Sequence, residues 1–452
     1  MTSDNHAETR QRAQGGKRQA PAESGLARGA ERRLAPGGHS ALVTVAWRNI
    51  WRNRRRTILC VVAIAIAVFF NVFMQAWMDG MYDGIERVVR IYDTGHVLAT
   101  SSRFEEEREY LPVQYPLSDG RDASELVALA ESLEGVRAAV PRISAYATLF
   151  DSVIKHARLW GVDIARERAV NDLNLTKRND GLVEGRFPEP GTNECAIGRA
   201  MAKKGGFSIG DAIPLKTVSA QFSDKYWNPK ITGIFEFDYR PFDEDTIIVP
   251  IDRLRRVLAL GEGIQQLVVF AHDARDSTAV RNALRERLGD GATVREWTDN
   301  YWVAMMRSMT GMMLVVYGVF IVVASFLIVN TMLMVIHERI KEIGMMGSLG
   351  MSRREIVETF FLEALFLSLL GSAVGAVFGG GASFVGSLFP IDMNTFTGGG
   401  MKDLPVSGTI FLSFSPLKVV FGFAFGVAVS SLCTILPSLK SAFIEPVEAL
   451  RR

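Results

Sequence analysis

Four long apolar stretches, one and then three, flank a large polar block. They run Thr57–Met78, Ser308–Ile336, Thr359–Ile391 and Ile410–Leu439. Each has at least the ~20 residues a helix needs to cross a ~30 Å hydrocarbon core. In lipid only a helix or a closed barrel satisfies its own backbone, and unbroken runs of this length are helices. Glu363 in the third stretch and Lys418 in the fourth lie near an end, where a charge reaches the interface. The second stretch, at about 29 residues, is roughly 43 Å long as a helix. That exceeds the bilayer core, so the surplus tilts or continues outward as a stalk.

Between the first two stretches, residues 79–307, the pattern becomes mixed α/β. Ala123–Leu149 reads as a helix and then a strand. Gln265–Phe270 reads as a strand, Thr278–Leu288 as an amphipathic helix and Thr293–Trp297 as a strand. Two matching helix–strand units predict one lobe built from both ends of the block, residues 97–158 and 262–298. Residues 159–250 are rich in Gly, Pro and short β runs such as Lys230–Phe237 and Thr246–Val249, which predicts a smaller β-rich lobe inserted into the first. The expected fold class is an α-helical membrane protein with four transmembrane helices, one plus three, carrying a large α/β domain.

The flanks of the stretches set the expected orientation. Arg48, Arg52, Arg54, Arg55 and Arg56 precede the first; Arg339, Lys341, Arg353 and Arg354 separate the second and third; Lys440, Arg451 and Arg452 follow the fourth. Basic segments stay cytoplasmic, so both termini and residues 337–358 are expected inside, and residues 79–307 and 392–409 outside. The alternative, a cytoplasmic block whose flanking basic clusters merely bind lipid headgroups, has the five-arginine cluster against it. The first stretch begins too late and is too long for a cleavable signal, and reads as an uncleaved anchor. Residues 1–40, nearly without large apolar side chains, predict a disordered tail. Residues 41–56 place Trp47 and Trp51 four apart beside Arg48 and Arg52. On a helix this pairs an aromatic stripe with a basic one, fitted to anchor at the membrane interface or simply to flank the first span.

Composition adds little: 48% hydrophobic, 22% charged, net charge +2. Cys195 stands alone in the polar block, so no disulfide framework is available there and a reactive thiol is only the alternative reading, while Cys60 and Cys433 fall in apolar stretches. Phosphate-loop, H-E-x-x-H and Cys/His metal patterns are absent from the sequence. His156 and His272 are isolated, and Glu105, Glu106 and Glu107 read as a solvated acidic patch. No catalytic, cofactor or metal residues are expected, so work done by the chain draws its energy from a partner.

The segment His337–Gly371 is the most distinctive. A short charged helix, His337–Met346, precedes Gly347, Gly350 and Ser352, and Ser352 with Glu355 three residues on forms a capping-box pattern for a new helix. This predicts a cytoplasmic helical elbow on which a soluble protein could dock, rather than a plain loop. In the third stretch Gly371, Gly375 and Gly379 line one helix face, a close-packing surface.

Glu338, Arg339, Glu342, Ile343, Gly344, Leu349, Gly350, Ser352, Ile356, Phe361, Leu362 and Glu363 together resemble the coupling-helix signature of FtsX/MacB-type ABC transporter permeases. Trp47–Thr57 is similar to that family's lead into its first span, and Pro446–Arg451 to its C-terminal ending. Gly347-Ser348 departs from the pattern, which carries a basic residue before the small one, and this bears on which ATPase is paired. Within the family, Gly233–Asp245, Ile248–Leu258 and Val294–Trp297 look most like the lipoprotein-releasing permeases.

The resemblance implies a bacterial inner-membrane permease dimer, with itself or a homologue. Two cytoplasmic ATPase subunits would drive it, with ATP and Mg bound on them and no cofactor on this chain. Coupling would fall to Glu338, Arg339, Glu342, Ile343, Gly344, Leu349, Gly350 and Ser352. The cargo would be lipoproteins extracted on the outer side, handed to a periplasmic carrier; no nucleic-acid partner is implied. MacB-like efflux of amphiphiles or peptides, and FtsX-like activation of a periplasmic hydrolase, are the alternatives.

Overall fold

The computed structural model describes residues 38–52, 54–117, 121–150, 152–171, 173, 181–392 and 409–442. The tail to residue 37, the 393–408 loop and the Pro446–Arg451 ending lie outside the described residues.

The first apolar stretch sits in a helix that is longer than its apolar run. It spans Arg54–Val88 and closes in a π-helical turn, Val89–Asp93, so the helix carries on well past Met78. The second stretch lies in a 38-residue helix, Tyr301–Glu338, which starts seven residues before Ser308. Both surpluses stand on the side of the soluble block and act as its two stalks. The third helix spans Arg353–Leu388 and the fourth Pro416–Ala442. Three helices among the described residues are long and apolar enough to cross a membrane: Thr57–Asp93, Arg353–Leu388 and Pro416–Leu439. The fourth stretch was expected to begin at Ile410. Instead Thr409–Ile410 pairs with Ile391–Asp392 as a short ribbon, and the helix starts at Pro416, whose fixed φ suits a first turn. The connecting residues Phe411–Ser413 lie across the first helix, with Ser413 N–H donating to the Ala76 carbonyl (3.1 Å).

Glycines bring the first and third helices together. A Cβ at Gly371 would lie 2.7 Å from the Ile64 Cβ, one at Gly375 2.5 Å from the Ala65 carbonyl oxygen, and one at Gly379 3.1 Å from the Phe69 carbonyl oxygen. The glycine face thus packs within this chain, against the first span. Asp79 and Lys418 pair across the first and fourth helices.

The soluble block is built on one hydrogen-bonded sheet of eleven strands among the described residues. In chain order these are β1 Val97–Ser101, β2 Val136–Leu149, β3 His156–Val162, β4 Leu182–Gly185, β5 Glu194–Gly198, β6 Leu215–Val218, β7 Asp224–Trp227, β8 Lys230–Phe235, β9 Thr246–Pro250, β10 Gln266–Ala271 and β11 Ala292–Glu296. The order across the sheet is β11-β1-β10-β2-β3-β9-β5-β8-β4, with β6 pairing the far end of β2 and β7 pairing β6. The outer strands β11, β1 and β10 come from both ends of the block. With the helices Ala123–Glu131 and Ser277–Leu288 they enclose one core around Val97, Leu126, Leu267 and Leu284. A second core, around Ile143, Leu159, Ile197 and Ile247, lies in the inserted strands. The two lobes are not hinged on a linker, because β2, fourteen residues long, runs through both. Its first half pairs with β10 and its second half with β3, and Arg142 belongs to both registers.

Candidate functional site

The elbow between the second and third helices is held by charges that turn inward. The Tyr301–Glu338 helix stops at Arg339, two residues beyond the expected Ile336, and a short helix, Ile340–Ser348, follows. Arg339 is buried and donates to Glu363 on the third helix (3.1 Å). Glu363, placed near an interface by its sequence position, is instead buried against this partner. Glu342 stands 3.8 Å from Arg339 and accepts from Arg52 of the leading amphipathic helix, Gly38–Arg52 (2.5 Å). Four charges therefore tie three helices together. Ile343 and Gly344 are also buried, and Ile343 shares a cluster with Ile50, Cys60, Ile336, Ile356 and Phe360.

Gly350 adopts φ +92°, the left-handed region that glycine enters without strain, and this reverses the chain out of the short helix. Ser352 then caps the third helix. Its hydroxyl accepts from the Glu355 N–H (3.3 Å), and the Glu355 carboxylate accepts from the Ser352 N–H (2.7 Å). The residues assigned to coupling thus divide by direction. Arg339, Ile343 and Gly344 face the protein and set the elbow's shape. Glu338, Leu349, Gly350 and Ser352 are exposed, Glu342 is half-exposed, and Leu349 is 81% exposed beside an exposed Met345.

In the leading helix Ala46 and Ile50 are buried, whereas Trp47, Arg48, Trp51 and Arg52 are exposed. Trp47 is not wholly free, since its ring meets Phe366 of the third helix edge-on at 5.5 Å.

At the other end, the stalks meet the lobes through residues that the sequence alone did not single out. Arg142 on β2 and Glu167 are fully buried and bonded through both guanidinium nitrogens Nε and Nη2 (2.6 and 2.9 Å). Arg142 Nη2 also donates to the Ile91 carbonyl in the π-turn that ends the first stalk (2.7 Å). Asp93 accepts from Asn300 Nδ2 (2.8 Å) and pairs with Arg108. Asn300 Oδ1 accepts from the Trp302 N–H (2.9 Å) and so caps the second stalk. Tyr92 stacks among Phe237, Tyr239 and Phe242. In the same cluster Asp243 is pushed up to about 8 by burial, although its Oδ1 accepts from the Phe237 N–H (3.0 Å). Burial also pushes the Cys195 thiol up, so it is a core residue and not a nucleophile. No group of His, Cys, Asp and Glu able to hold a metal occurs among the described residues.

Beside the β6–β7 hairpin, Phe150 and Tyr226 are exposed and stacked at 6.1 Å, and Val153 and Phe222 are exposed as well.

A family model described as an FtsX-like permease C-terminal region matches residues 314–446. One described as a MacB-like periplasmic core domain matches residues 57–287, just over half of the chain. The lipoprotein-releasing system transmembrane protein LolC of Xylella fastidiosa strain Temecula1 is 23% identical over 359 residues, covering 74% of this chain and 82% of its own. The ABC transporter permease YknZ of Bacillus subtilis is 27% identical over 237 residues, 49% of this chain and 52% of its own. The macrolide export ATP-binding/permease protein MacB of Brucella abortus is 25% identical over 253 residues, 54% of this chain and 35% of its own.

Proposed function

This chain belongs to the family of ABC transporter permeases that carry a MacB-like periplasmic core domain and an FtsX-like C-terminal region, and from that premise we propose that it transmits the motion of a separate ATPase to its soluble lobes and thereby releases lipoproteins from the inner membrane. The observation that carries the reading is the continuous helical path. An elbow with an exposed Leu349 leads through two helices that continue beyond their apolar runs into the lobes. Two ATPase subunits, holding ATP and Mg, dock on the elbow and push as they close. Four spans, both termini cytoplasmic, complete the arrangement, and a second permease, self or homologue, faces the first. Energy passes as force, which agrees with the buried Arg142–Glu167 and Arg339–Glu363 pairs lying where helices join their neighbours.

The lipoprotein assignment rests on the similarity to LolC over most of the chain and on the motifs of Gly233–Asp245 and Ile248–Leu258. The acyl chains would enter along the apolar faces of the first two spans. The exposed, stacked Phe150 and Tyr226 beside the β6–β7 hairpin support handling of an apolar cargo or its carrier outside the membrane. Export of small amphiphiles, the second reading, is favoured by the partial similarity to MacB. Reconstitution of the permease with its ATPase in vesicles loaded with a triacylated lipoprotein decides between them. ATP-dependent release of the lipoprotein is expected; release of none, with transport of an amphiphilic drug, would move the assignment to export.

A further inference from the structure

We propose that the buried Arg142–Glu167 pair is the joint that fixes the first stalk to both lobes at once, so that a tilt of the span moves them as a unit. The inference rests on the mechanotransmission reading above. Arg142 grips two things with one planar fork: the Glu167 carboxylate through Nε and Nη2, and the Ile91 carbonyl through Nη2. Ile91 lies in the last turn of the stalk, where carbonyls lack intrahelical partners and where a cation is favoured by the helix dipole. That turn is widened to π, with the Thr94 N–H donating to the Val89 carbonyl (2.9 Å). Helix ends open cheaply, and a loose last turn would absorb the motion of a helix about 50 Å long. Holding that turn is therefore what passing force requires.

The position of Arg142 in the sheet makes the joint serve both lobes. It is the residue at which β2 passes from β10 to β3, opposite Gln266 on one side and Val162 on the other. The guanidinium also lies over the Trp160 ring at 5.1 Å, and Asn171 donates to Glu167 (3.1 Å). A fully buried ion pair is a poor device for stability, because an apolar pair packs without the desolvation cost. Its distinctive use here is a fixed angle between a helix end and a strand.

The test uses the full chain in lipid nanodiscs, with Cys60 and Cys433 replaced by Ala and the buried Cys195 retained. Spin labels are placed at Arg87→Cys with Glu286→Cys for one lobe, and at Arg87→Cys with Val153→Cys for the other. Narrow distance distributions are expected for both pairs. In Arg142→Met with Glu167→Leu, the thermal midpoint should stay near that of the parent while both distributions broaden. Arg142→Lys, whose single ammonium cannot hold Glu167 and Ile91 together in this geometry, should broaden them too. Distributions as narrow as the parent's in the double variant would overturn the joint, as would broadening of one lobe alone. If the double variant does not fold, narrow distributions in Arg142→Lys overturn it. The nucleotide is then added to the parent with its ATPase. Failure of the lobes to move would sink the permease reading while leaving the joint standing.

Discussion

Asp243 is a buried carboxyl in the stalk-end cluster. Its carboxyl is held up to about 8, from an ordinary 3.8, first by burial and then by Glu236 and Asp238. Between those two values the folded state holds a proton that the unfolded chain has lost. Stability therefore falls as pH rises from about 4 towards about 8 through this group. Asp243→Asn keeps an acceptor for the Phe237 N–H and removes the charge. The thermal midpoint of the solubilised chain should then lose that decline and lie above the parent's at pH 8; an unchanged slope would show that Asp243 does not dominate it. His96 has the opposite sign. Burial and then Arg90 hold it down to about 4, so acidification from 6.5 towards 4 protonates the unfolded chain first and destabilises the fold. At the elbow, Leu349 makes a clean functional probe because it is exposed. Leu349→Asp should leave folding unchanged and abolish ATPase binding in a co-purification assay.

At the scale of elements, the elbow is shaped by one buried pair. Arg339→Leu would leave the buried Glu363 without its ion-pair partner and with Asn49 as its remaining hydrogen-bond partner, at a cost of up to about 3–5 kcal/mol, whereas Arg339→Leu with Glu363→Leu should recover most of it. Thermal unfolding of both variants checks this; equal losses would mean that the unpaired Glu363 is not the source of the cost. At the glycine seam, Gly375→Val would force a side chain onto the Ala65 carbonyl oxygen. It should part the first and third helices and lower the yield of folded protein. Much of this level was legible in the sequence. The helix of Thr278–Leu288, the strand at Gln265–Phe270 and the Ser352 capping box fall within a residue or so of where they stand, because periodicity and capping are local. Arg142 and Glu167 were not legible as a pair. An arginine in the apolar middle of a strand is a signal, but its partner is fixed by how a helix 25 residues away folds back. Glu363 misled for the same reason: its depth along a helix is local, and its partner on the elbow is not. The surplus of the first helix was missed because Asp79, Asp83 and Glu86 end the apolar run without ending the helix.

At the scale of the molecule, the proposed function would use these parts as a lever. The elbow is clamped to the leading helix and third span by Arg52, Glu342, Arg339 and Glu363. The first span is seated in the glycine groove of the third. Both stalks are capped at one place, where Asp93 and Asn300 join them and Arg142 joins the first to the sheet. A large α/β block set between long apolar helices was plain from the apolar runs, but the unity of the lobes was not, since it depends on a single strand passing through two cores. The most direct test of the central claim is to purify the intact complex in mild detergent and identify by mass spectrometry everything that accompanies the chain. A small ABC ATPase together with triacylated lipoproteins, the ATPase being lost from Leu349→Asp, is the predicted result. A chain that purifies with no ATPase would contradict the account.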